Sequence, residues 1–148
     1  MLTRLSLRFL AMMVLTAVAT VSLITMFEAM IRAPLSFGMA IVVVLPLLIG
    51  ARSCGAAVVA QAAQAASLRQ IAGYGLWCAA LGLIVLAAGI MALQVARHGD
   101  LRAALALLTN RPSASLILLA LAYATCALIT CTGFALGARA QARLLPQP

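Results

Sequence analysis

The chain has 148 residues, of which 66% are hydrophobic and 8% charged, and its mean hydropathy is +1.19. A soluble domain carries about 25% charged and about 45–50% apolar residues, and a chain this short must leave much of its surface in water. An ordinary soluble fold is therefore excluded, and lipid is the remaining solvent for the apolar excess. The net charge of +8 does not point to nucleic acid. All ten basic residues are arginines (Arg4, Arg8, Arg32, Arg52, Arg69, Arg97, Arg102, Arg111, Arg139 and Arg143), placed singly or in loose pairs between apolar runs. A nucleic-acid surface gathers them into one stripe.

The first predicted span covers residues 8–31. Arg4, Arg8 and the Ala17-Val18-Ala19 triplet imitate a signal peptide, but apolar character continues from Phe9 to Phe27. That run is longer than the roughly 7–15 residues of a signal h-region. Ala33-Pro34 breaks the helix, since the residue before proline is pushed out of the α region. The second span, about 35–60, contains Pro46, which predicts a kink. It also contains Arg52, whose guanidinium can snorkel to the headgroups. Residues 71–94 form the clearest span, with no charge over 24 positions. Gly99 and Asp100 then suit a helix stop and an N-cap. Leu101, Leu105 and Leu108 share a face, so residues 100–109 read as a short amphipathic helix lying in the interface. The fourth span covers 113–137, and the tail is polar.

The predicted fold is thus all-α: a polytopic membrane protein of four transmembrane helices in one antiparallel bundle, plus the interfacial helix. If the N-terminus is cytoplasmic, that side holds Arg4, Arg8, Arg52, Arg69, Arg139 and Arg143, against Arg32, Arg97, Arg102 and Arg111 outside. The positive-inside rule then favours both termini in the cytoplasm. Absent lysine and abundant alanine fit a GC-rich genome, and the expected location is a bacterial inner membrane.

Helix association in lipid depends on close backbone approach and interhelical hydrogen bonds. Gly75, Gly82 and Gly89 recur every seven residues on the third helix. On the fourth, Gly133 and Gly137 form a G-x-x-x-G pair that Cys126 and Thr130 extend. These residues are the expected packing faces, joining helices three and four within the chain or between copies. Leu-Ile-Gly-Ala-Arg (48–52) and Ala-Leu-Gly-Ala-Arg (135–139) echo each other. A duplicated hairpin produces such an echo, and so does shared helix-end composition.

Chemistry is sparse. Glu28 is the carboxylate nearest a span, and Arg32 follows at i+4, which reads as an interfacial ion pair. His98, the one histidine, stands beside Arg97 and Asp100, which is too few ligands for a metal site. Cys54, Cys78, Cys126 and Cys131 show no CxxC and behave as small hydrophobes. Thr16, Thr20, Thr125, Thr130, Thr132 and Tyr123 suit bonds to helix carbonyls. No cofactor is expected, and no catalytic set can be assembled.

Size and helix number resemble the small multidrug resistance transporters, but Thr16 to Thr20 carries no glutamate at the middle of helix one. The disulfide-forming membrane oxidoreductases need a CxxC that is absent here. The membrane glutathione-metabolism enzymes need acid and amide partners, and the segment Gly50-Ala51-Arg52-Ser53-Cys54-Gly55 lacks them. The layout resembles small uncharacterised four-helix bacterial inner-membrane proteins, in which helix two ends in a Gly/Arg segment and the last helix closes as in Leu136-Gly137-Ala138-Arg139. That resemblance implies fold and location and no activity. The expected function is a non-enzymatic accessory, scaffold or assembly component. Its expected partners are the bilayer, other membrane proteins or a second copy. The rival is a small oligomeric transporter or channel with Glu28 near its outer mouth.

Overall fold

A long apolar run satisfies its backbone most simply as an α-helix, because each interior N–H finds the carbonyl four residues back. A computed structural model describes residues 2–32, 38–62, 64, 66–98 and 112–144. Among these residues the helices are α1 (Leu2–Ile31), α2 (Gly38–Ala62), α3 (Leu68–His98) and α4 (Pro112–Ala142). They contain 30, 25, 31 and 31 residues. At about 1.5 Å per residue each outreaches the roughly 30 Å of a bilayer's hydrocarbon. All four are long and apolar enough to cross a membrane. The interfacial helix expected at 100–109 lies outside the described residues, as do Asp100, Arg102 and Arg111.

The helices extend beyond the apolar runs at several ends, α3 among them, which continues past residue 94 to His98. α1 begins at Leu2 rather than near residue 8, since arginine is a good helix former and Arg4 and Arg8 interrupt only the apolar run. α3 begins at Leu68 rather than 71 because of a capping box. The Gln70 amide donates to Ser67 Oγ (3.3 Å), and the Ser67 amide donates back to Gln70 Oε1 (3.0 Å). The Ile71 amide then reaches the Ser67 carbonyl at 3.0 Å, the first helical bond. α4 continues to Ala142 with Arg139 in its last turn, where a cation meets the negative end of the helix dipole. α1 stops at Ile31 with Arg32 in the left-handed region at φ 56°. Glycine usually fills that stop position, so an arginine there costs strain.

α2 is the hub. Its apolar window is 44% buried, against 17%, 22% and 17% for α1, α3 and α4. α1 packs along one side of α2 and α4 along another, while α3 packs on α4 and touches α2 and α1 lightly. Leu48 and Arg52 of α2 face Gly133 and Gly137 of α4 in the same order. Along α1 and α2 the order reverses: Phe9 lies against Gly50, and Leu5 meets Cys54. Phe9, Leu47, Cys54, Val59, Cys78 and Phe134 fill the shared core.

The outside is as apolar as the inside. Leu7, Leu15, Met30, Leu118 and Leu128 are 66–72% exposed, and large apolar side chains line the outer faces of all four helices. Soluble proteins do not expose contiguous apolar surface on this scale.

The capping box yields a stability prediction. Ser67→Ala removes the acceptor for the Gln70 amide, and such caps are worth about 1 kcal/mol. Titration of the purified protein with dodecyl sulfate, followed by circular dichroism, should show earlier unfolding in Ser67→Ala and none in Ser67→Asp.

Candidate functional site

Burying apolar side chains against other apolar side chains gains little in lipid, so the contacts that matter are those that bring backbones together. α2 and α4 meet in this way. A methyl group added at Gly137 would run into the Arg52 carbonyl group, 3.0 Å from the Arg52 Cα. One added at Gly133 would lie 2.6 Å from the Leu48 carbonyl oxygen, and one at Gly55 2.9 Å from the Phe134 carbonyl carbon. The seam is therefore two-sided: Gly133 and Gly137 on α4 interlock with Ala51 and Gly55 on α2. The two echoing segments, 48–52 and 135–139, lie side by side across it.

α3 and α4 are joined differently. The Thr130 hydroxyl stands 2.8 Å from the Gly75 carbonyl on α3 and 2.8 Å from the Cys126 carbonyl on its own helix, sharing its proton between them. Gly75 admits Cys131, whose Cα would be 2.9 Å from an added methyl. The Tyr123 hydroxyl donates to the Leu76 carbonyl at 3.3 Å, and the Tyr74 and Phe134 rings stack at 5.7 Å. Cys126, one turn before Thr130, is buried.

The expected packing residues therefore divide among three interfaces. Gly75, Thr130 and Cys126 lie on the α3–α4 side. Gly133 and Gly137, expected to meet α3, meet α2 instead, where the backbones of Leu48 and Arg52 fill the space a methyl group would need. Gly82 faces the Leu47 side chain and, at 3.7 Å from an added methyl, the Phe9 ring tip. Gly89 has nothing within 4 Å of an added methyl. Glu28 is half-buried in the last turns of α1 and Arg32 is exposed. With Arg32 turned out of the helix, the same-face geometry of an i,i+4 pair does not follow from the helix alone.

Sequence reading passed over Gly55, Gly50 and Ser67. Ala51-x-x-x-Gly55 is a small-x-x-x-small pattern, hidden by the adjacent arginine and serine. The pairing of Gly50 with the Phe9 ring, 3.1 Å from an added methyl, has no local signature.

A second feature gathers at one end of the bundle. The start of α1, the last turns of α2, the start of α3 and the end of α4 bring Arg4, Arg8, Arg52, Arg69, Arg139 and Arg143 to this end, all exposed. Trp77 Nε1–H donates to Ser6 Oγ at 2.9 Å and ties α3 to α1. Beside this link a cavity of about 540 Å³ opens among Leu2, Ser67, Arg69, Gln70, Tyr74 and Trp77. Between α1 and α2 a smaller cleft of about 160 Å³ is lined by Arg4, Leu5, Arg8, Ala57 and Gln61. The four cysteines are free thiols. Among the described residues no three His, Cys, Asp or Glu side chains gather as a metal site.

Comparison of the chain with protein-family models, with curated proteins and with solved structures gave no match.

The seam predicts a contrast between glycines. Gly137→Leu should destabilise the bundle by about 1–3 kcal/mol, the usual cost of overpacking, whereas Gly89→Leu should change little. Equal dodecyl sulfate midpoints for the two variants would contradict the α2–α4 contact. Thr130→Val, which keeps the shape and removes the shared proton, should cost about 0.6 and at most about 1.7 kcal/mol in the same assay.

Proposed function

We propose that the chain is a bacterial inner-membrane protein that works by association and not by catalysis, as an accessory or scaffold component. Its four helices cross the bilayer as an antiparallel bundle, and both termini lie in the cytoplasm. The observation that carries this reading is the inverted distribution of apolar side chains. The interior is narrow and closed by backbone contacts, while leucines, valines and methionines cover the outer faces. Lipid solvates that exterior, and any partner helix must be gripped there or at the arginine-rich end.

The clustering of Arg4, Arg8, Arg52, Arg69, Arg139 and Arg143 at one end supports the orientation, since arginine is retained on the cytoplasmic side. Association fits the chemistry better than transport does. The cavities described above open at the arginine-rich end and between neighbouring helices, and neither contains Glu28.

Fusion of reporters tests the topology. A fluorescent protein placed after residue 148 should fluoresce in intact cells, and a phosphatase active only in the periplasm should be active when inserted at residues 33–37 and inactive after 148. Reconstituted vesicles test the function. The wild-type chain should support no proton- or cation-coupled flux. Flux that disappears in Glu28→Gln would replace the association reading with the small oligomeric transporter.

A further inference from the structure

We infer that the cleft between α1 and α2 is a binding site for the phosphate of an anionic phospholipid headgroup, held by Arg4, Arg8 and Gln61. The inference rests on the membrane reading above and goes beyond it by naming a ligand and its residues.

Arg4 and Arg8 are one turn apart on the same face of α1. Like charges at this spacing repel and disfavour the helix unless an anion lies between them. No carboxylate among the described residues is near enough to serve. Glu28 is the only acid among them, and it lies 20 positions beyond Arg8 on the same helix, about 30 Å away at 1.5 Å per residue. Gln61 of α2 lines the same cleft of about 160 Å³ as Arg4 and Arg8 of α1, and its side-chain amide N–H can donate to the same ligand. Three side chains from two helices thus converge on one small volume with donors and positive charge.

The remaining walls decide which phosphate fits. Leu5 and Ala57 are apolar and buried, and they continue directly into the core. A free phosphate ion gains nothing from them, whereas a phospholipid places its glycerol and first methylenes there. The cleft also stands where a headgroup stands, at the arginine-rich end of helices long and apolar enough to cross a membrane. Basic pockets between helices at the cytoplasmic face hold anionic headgroups for this reason. Guanidinium is suited to the task, since its planar fork matches two phosphate oxygens at once.

The alternative is a diffuse attraction of all the arginines at this end to an anionic leaflet. The neutral residue separates the two. A diffuse field is indifferent to Gln61 and treats Arg143 like Arg8, whereas a built site is not.

The full chain in nanodiscs of phosphatidylcholine with a minority of phosphatidylglycerol, analysed by native mass spectrometry, provides the test. We expect saturable retention of one phosphatidylglycerol per chain and no comparable retention of phosphatidylcholine. Arg4→Gln with Arg8→Gln should weaken it about thirtyfold. Gln61→Leu should weaken it about tenfold, the loss of a hydrogen bond to a charged group. Arg143→Gln should change it less than about twofold. Each variant must keep the wild-type helix content, which the exposure of these side chains favours. Equal losses in Arg143→Gln and Arg8→Gln, or an unaffected Gln61→Leu, would overturn the site. Displacement of the lipid by inorganic phosphate would overturn the lipid as its ligand. A chain that leaves the membrane fraction during extraction without detergent would instead remove the membrane reading itself.

Discussion

The contact on which the rest of the bundle depends is the approach of two backbones, α2 and α4, at Gly133, Gly137, Ala51 and Gly55. There is no room for a side chain at any of the three glycines, because a carbonyl group of the facing helix already occupies the place. The weak attraction between packed atoms becomes substantial only when many atoms meet at full contact distance. Glycine allows that meeting along two turns of both helices. α1 can then seat Phe9 on Gly50, and α3 can offer the Gly75 carbonyl to Thr130. α2 is the most buried helix because α4 and α1 both pack along it.

The same arrangement accounts for most of the hydroxyl groups on the described helices. Most hydroxyls bond back to their own helix: Thr16 to the Met12 carbonyl at 2.6 Å, Thr20 to Thr16 at 2.7 Å and Thr132 to Leu128 at 2.7 Å. Thr130, Ser6 and Tyr123 are spent on interhelical contacts. At the arginine-rich end the Trp77–Ser6 bond links α3 to α1, and clefts open on both flanks of α1. Among the described residues the bundle combines an apolar exterior, an interior closed by backbone contacts and an end that carries six exposed arginines.

Much of this is legible along the chain. Four apolar runs with arginine at their borders announce four helices, and the proline at 34 separates the first two. The small-residue positions on α3 and α4 are also visible, and Gly75, Thr130, Gly133 and Gly137 do stand at helix contacts. Their partners are not visible. G-x-x-x-G says that a helix is approached closely, and the facing stripe of Ala51 and Gly55 is the smaller-than-usual pattern that decides by which helix. The start of α3 was legible too, as Ser67 with Gln70 three residues on, although hydropathy alone runs past it.

The sequence by itself determined that this protein is helical, with four runs long and apolar enough to cross a membrane, because 66% apolar residues in 148 are too many for an ordinary soluble fold to bury. It also determined which helix ends carry charge, since each arginine marks a limit of an apolar run. Only the tertiary structure decided that α2 lies between α1 and α4, that the G-x-x-x-G pair faces α2 rather than α3, and that Arg4, Arg8 and Gln61 line one cleft. The physical reason is that hydropathy is a property of a single segment and its solvent. Which helices touch depends on complementary shapes on two segments far apart in the chain, and here those shapes are made by atoms that are missing from glycine.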